Sequence, residues 1–196
     1  YTISEDTNAP KVTYKRTFGE NRANKFQAWM VPFDYKLTAT DVENFDFYSI
    51  NEVKFADENK TKMQMRLSGA MSADAVLTAN MPYVFMPKSA VGEYRFSAEN
   101  VTLTAADATT SRQKVTVADG VEVDFYSVYN IAKPTDESYI YYMSINGKVG
   151  YSNSANTSFG GVGAFRWIFK VSGENAGSAA YTFGFANDDD DLTAVS

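Results

Sequence analysis

The side chains of this chain that could do chemistry are almost all oxygen-bearing, because the sequence contains neither histidine nor cysteine. Without imidazole there is no Ser-His triad, no histidine metal site and no ordinary base near neutral pH. Without a thiol there is no disulfide framework, no cysteine nucleophile and no thiolate ligand. Three chemistries stay open: hydrolysis by a carboxylate pair, a Ser-Lys dyad, and calcium held by oxygen ligands alone.

Glycoside hydrolysis asks only for two carboxyl groups about 5 to 9 Å apart, and Glu52, Asp57, Glu93, Glu122 and Asp124 are candidates. Each lies among alternating apolar residues, as solvent-facing strand positions do. With 24 acids in the chain such pairs arise by chance, so no catalytic residue is assigned. The run NDDDD at 187–191 has the oxygen density calcium wants, yet calcium loops space their ligands at alternate positions around a turn glycine. Consecutive carboxylates on an extended segment point to opposite sides, so Asp188 to Asp191 read as a solvated acidic tail and no metal site is expected. The glycines of NTSFGGVG at 156–163 come without the lysine of a phosphate loop and without a following helix, which makes this stretch a loop. The remaining candidates are aromatic. In YIYY, Tyr139 and Tyr141 share one face of a strand and Ile140 and Tyr142 the other. Exposed at that strand, Tyr139, Tyr141 or Tyr142 would stack on the apolar faces of sugars. None of these motifs implies a cofactor.

The elements that would position these residues are strands. Apolar residues recur with period two, and Val, Ile, Thr, Tyr and Phe fill the periodic stretches. The expected strands are 11–18, 26–33, 47–56, 62–69, 83–87, 93–105, 113–129, 138–152, 163–171 and 181–186. Two of them are hairpins, folded at Asp119-Gly120 and Asn146-Gly147 through two-residue turns with positive φ. One short helical turn is expected in TATDVENF at 38–45, with Thr40 and Glu43 at capping-box spacing. In WMVPFDY, alternation puts Trp29, Val31, Phe33 and Tyr35 on one face and Met30, Pro32 and Asp34 on the other. This is a core strand stopped by a proline. The stretch NMPYVFMPK repeats the punctuation, with Tyr83 and Phe85 on one face. The expected fold is all-β: a two-sheet antiparallel β-sandwich of about ten to twelve strands. Residues 1–196 form one module with a two-part echo around 1–105 and 106–196. Trp29, Phe33, Tyr83, Phe85, Phe96, Phe125, Trp167 and Phe183 fill its core.

Charge narrows the partners. Lys and Arg total 18 against 24 acids, a net charge of −6, and the basic residues never gather into the stripe that a phosphate backbone demands, so nucleic acid is not expected. No apolar run approaches the ~20 residues of a membrane-spanning helix. The chain starts at Tyr1 without a signal pattern, as expected of a piece of a longer protein.

The order YKRTF, WMVPFDY, ANMPYVFMP, EYRFSAENVTL, VDFYSVYN, GAFRWIFKV and FANDDDDLTAV resembles a module common in surface and secreted proteins of Bacteroidetes. The tail departs from that pattern, with DLTAVS in place of a Thr-Gly-Ile ending. The resemblance implies an extracytoplasmic β-sandwich attached to other domains of the same chain. It transfers Trp29, Pro32, Phe33, Asn80, Pro82, Tyr83 and Trp167 as scaffold positions, and no catalytic residue. Two functions then stand side by side. One is a non-catalytic, adhesin-type binding module for a glycan or a host surface protein; the other is a spacer or stalk with no ligand. A glycosidase using a carboxylate pair comes third.

Overall fold

The computed structural model describes residue 3 and residues 5–105, 113–117, 120–136, 138–173 and 181–187. Its elements run β1 (Thr7–Phe18), a 3-10 turn (Glu20–Arg22), β2 (Gln27–Trp29), β3 (Tyr35–Lys36), α1 (Ala39–Asn44), β4 (Phe45–Phe55), β5 (Lys62–Leu67) and β6 (Val76–Leu77). They continue with β7 (Tyr83–Pro87), β8 (Gly92–Leu103), β9 (Gln113–Thr116), β10 (Glu122–Val128), β11 (Ile140–Met143), β12 (Val149–Ser152), β13 (Arg166–Ser172) and β14 (Thr182–Asn187).

Two five-stranded sheets, β14-β5-β4-β7-β2 and β12-β11-β13-β10-β9, pack face to face. Ala28, Met30, Val53, Met65 and Val84 of the first interdigitate with Val123, Phe125, Tyr141, Trp167 and Phe169 of the second. The Trp167 indole also donates across the gap to the Tyr83 carbonyl at 2.8 Å, so that its only polar atom is satisfied inside the core. The expected all-β sandwich is present. A further layer lies on it: β1 and β8 form a separate antiparallel ribbon, from Thr7 opposite Leu103 to Phe18 opposite Gly92. Tyr14, Phe18 and Phe96 of the ribbon cover Trp29, Phe45, Phe47 and Phe85 on the outer face of the first sheet. The first sheet is therefore buried on both faces, which is why Met63, Gln64 and Met65 are buried in succession along β5. Its pairing is antiparallel except at one edge, where β14 runs parallel to β5.

The opening stretch keeps its alternation but not its ladder. Strand pairing stops after Trp29, opposite Tyr83, so WMVPFDY and NMPYVFMPK are hydrogen-bonded neighbours. Beyond it the chain still alternates: Trp29, Val31, Phe33 and Tyr35 enter the ribbon-side core while Met30 enters the core between the sheets. Pro32 is buried with its carbonyl accepting from Thr104 N–H at 2.6 Å, and Asp34 is exposed. Pro82 is also buried. Of the expected core, Phe183 alone is only partly buried.

Three local expectations are corrected. Helix α1 is capped by Thr38, not Thr40: the Thr38 hydroxyl accepts from Asp41 N–H and the Asp41 carboxylate accepts from Thr38 N–H, completing the box two residues earlier. Asp41 is then locked in place by the hydroxyls of buried Tyr35 and half-buried Tyr94, at 2.8 and 2.9 Å. The Asn146-Gly147 hairpin has a three-residue loop, with Ser144 N–H donating to the Lys148 carbonyl and φ positive at Gly147 but not at Asn146. This is a turn followed by a left-handed glycine, the usual three-residue hairpin. The other hairpin has the same spacing, Val117 N–H to the Val121 carbonyl, with Gly120 at φ 74; Asp119 lies outside the described residues, as do Asp188 to Asp191. No helix among the described residues is long and apolar enough to cross a membrane.

Candidate functional site: a cleft between arginines

Three arginines from distant parts of the sequence converge where the β2 edge of the first sheet meets β11 and β13 of the second. Arg16 arrives first. On β1 the inward phase is Val12, Tyr14, Arg16 and Phe18, so the strand that buries two aromatics must also carry a guanidinium inward. It is received by the Gln27 side-chain oxygen at 2.6 Å and the Ala28 carbonyl at 3.3 Å, and lies over the rings of Phe18 and Phe85 at 5.3 and 5.4 Å. Burial lowers its pKa to about 10; a nearby Tyr14 hydroxyl opposes the shift, and the charges of Arg166 and Arg22 add to it. Arg16 thus keeps its charge at neutral pH.

Arg22 ends the 3-10 turn and donates to the same Gln27 oxygen at 3.1 Å. Gln27 is itself buried, and its amide nitrogen donates to the Lys25 carbonyl at 3.2 Å, which turns its oxygen toward both guanidiniums. Burial and then the charge of Arg166 push the Arg22 pKa down as well. Arg166 opens β13 directly after Phe165, a bulky residue held at φ 58. A left-handed backbone at such a residue costs about 1 to 3 kcal/mol and persists only where the surroundings enforce it. Here Phe165 N–H donates to the Val128 carbonyl at 2.7 Å and its carbonyl accepts from Met30 N–H at 3.4 Å. The Arg166 guanidinium fills the space beside Gly163, where an added Cβ would sit 2.4 Å from Nη1.

Among the described residues none of these three arginines meets a carboxylate; the arginine ion pairs are Arg66 with Glu52 and Arg95 with Glu93. Like charges are held together with one neutral amide oxygen between two of them. Arg22 and Arg166 face a cleft of about 330 Å³, at the small end of the range for small-ligand sites. Its other walls are Tyr142, the turn from Met143 to Ile145 and the loop from Gly161 to Gly163. The turn is docked by Gly147, whose missing Cβ would fall 2.7 Å from Phe26 N. The loop is pinned by the paired hydrogen bonds of Ala132 and Val162, at 2.9 and 2.8 Å. A second cleft, of about 350 Å³ beside Asp34 and Asn100, has its only charged side chain occupied, since Asp34 accepts from Ala79 N–H at 2.8 Å.

The tyrosine candidates divide. Tyr141 is corrected: it is 2% exposed, stacked on Phe169 in the core between the sheets, and offers no face to a sugar. Tyr139 is half-buried on the same side and meets Tyr151 edge to face at 5.3 Å. Tyr142, on the opposite side, lines the cleft; its ring lies against Phe159 and covers Gly150 across the strand pair. Each carboxylate proposed for hydrolysis has structural partners. Glu52 faces Arg66, Glu93 pairs with Lys15 and Arg95, Glu122 and Asp124 share Lys114, and Asp57 closes a turn onto Thr61 and Lys62. Among the described residues no group of three or more acids is gathered as a metal ion would need.

The sequence does carry a signal for Arg16, since in KVTYKRTF it is the one charged residue in the apolar phase. Arg22 sits in a polar loop and Arg166 alternates with apolar neighbours, so nothing local marks either one. Fold and site together describe an all-β sandwich with an arginine-lined cleft at one corner. No family model, curated protein or solved structure matches the chain.

Proposed function

We propose that this chain is a non-catalytic, extracytoplasmic binding module of a bacterial surface protein, and that it holds a glycan or a host protein at the arginine cleft. The observation that carries the reading is that Arg22 and Arg166 line one open cleft, with Arg16 behind them, and that none of the three meets a carboxylate among the described residues. Guanidiniums kept this close repel one another, a cost that a stalk has no reason to bear and that an anionic ligand would offset. The walls supply cations, a hydroxyl and an aromatic ring, which suits holding a ligand better than hydrolysing it. The motif order resembling Bacteroidetes surface modules supports the setting.

A glycan and host-protein array probed with the purified chain tests this. Retention of an acidic ligand, weakened by salt, is the expected result. Silence across both arrays at high protein concentration would leave the spacer. Hydrolysis of a polysaccharide, abolished by changing one Asp or Glu, would make the chain an enzyme.

A further inference from the structure

Resting on that binding reading, we infer that the cleft takes a carboxylate-bearing pyranose, the acidic sugar unit of a glycan, with its carboxylate between Arg22 and Arg166. A guanidinium is a planar fork matched to the two oxygens of a carboxylate, and two forks at one site fix the orientation of that group as well as its charge. Arg22 is steadied for this by its bond to the Gln27 oxygen and Arg166 by its seat beside Gly163. Arg16, deeper and already bonded to Gln27 and Ala28, adds positive potential without reaching the ligand.

The rest of the cleft argues for a sugar over an acidic side chain. An Asp or Glu of a protein partner would bring a carboxylate on one or two methylenes and leave the other walls unmatched. A pyranose brings an apolar ring face for Ile145, which is 49% exposed, and hydroxyls for Tyr142, Ser144 and the backbone of the Gly161–Gly163 loop. A volume of about 330 Å³ suits one monosaccharide unit. Uronates and sialates share this chemistry.

The test is calorimetric titration of the whole chain with tetragalacturonate, 3′-sialyllactose, lactose and an Asp/Glu-rich peptide. Binding of either acidic sugar, with lactose at least about tenfold weaker, is expected, and the tighter of the two names the source. Arg22→Met and Arg166→Met should each lower affinity about tenfold or more, while Arg166→Lys should recover only part of it because a point charge replaces the fork. Gly163→Val, which keeps every charge but displaces the guanidinium, should weaken binding like Arg166→Met; melting temperatures identify any variant that fails to fold. Equal binding of lactose, undiminished binding by folded Arg22→Met/Arg166→Met, or tighter binding of the peptide would overturn the inference and leave the binding module standing. A ligand found on the arrays that ignores both arginines would do the same. Silence on the arrays, or hydrolysis lost with one acid, removes the module itself.

Discussion

Tyr141 stands with its ring stacked on Phe169, 4.9 Å between centroids, and its hydroxyl accepting from Tyr181 N–H at 3.0 Å. Burial pushes its pKa up to about 12 from 10.0; the Tyr181 amide resists, and neighbouring tyrosines reinforce the shift. The unfolded chain therefore releases this proton first as pH rises. The stability tied to the neutral phenol is intact below pH 10 and is lost between pH 10 and about 12. Urea midpoints measured across that window should fall, and Tyr141→Phe, which cannot ionise, should fall less steeply even if it starts lower for want of the Tyr181 bond. An unchanged slope would mean that Tyr141 ionises alike in both states. Alternation in YIYY assigns the two faces correctly. It cannot say which face is inward, because each carries bulky residues, and only the approach of β14 with Tyr181 and Phe183 settles the choice.

At the scale of elements, the two hairpins offer an internal comparison. Gly147 and Gly120 hold the same loop position at φ 75 and 74, but a Cβ on Gly120 would meet nothing within 4 Å whereas one on Gly147 would strike Phe26 N and Lys25 Cβ. Gly120→Ala should thus cost about 1 to 2 kcal/mol, the price of a left-handed alanine. Gly147→Val should cost more, about 2 to 3 kcal/mol or above, because backbone must also move. Equal losses on chemical denaturation would show that the docking against Lys25 and Phe26 contributes nothing. Both hairpins are legible because glycine at these positions is a local signal. The loop length is not, since the residue before each glycine tolerates several turn types. The cap of α1 shows a similar limit: Thr38 and Thr40 both precede acids at three-residue spacing, and Tyr35 and Tyr94, one of them remote in sequence, select Asp41.

At the scale of the molecule, two sheets are readable from alternation, while the third layer is not. Ribbon strands and sheet strands have the same period, and what separates them is partner choice over about a hundred residues, which no local pattern encodes. The same holds for the cleft, whose arginines come from β1, a 3-10 turn and β13. The parallel pairing of β14 on β5 is equally non-local, and it brings Phe183 and Phe185 to the core between the sheets. Deleting residues from Tyr181 onward should yield a species that associates in sedimentation velocity and loses its cooperative melt. A monomer melting as the parent does would show β14 to be dispensable. The register, Met63 opposite Phe183 and Met65 opposite Phe185, also bears on biosynthesis. A ribosome delivers β5 more than a hundred residues before β14, so over that stretch of synthesis an apolar strand waits with an open edge. During that interval the unpaired edge of β5 is a template on which a strand of another molecule can add.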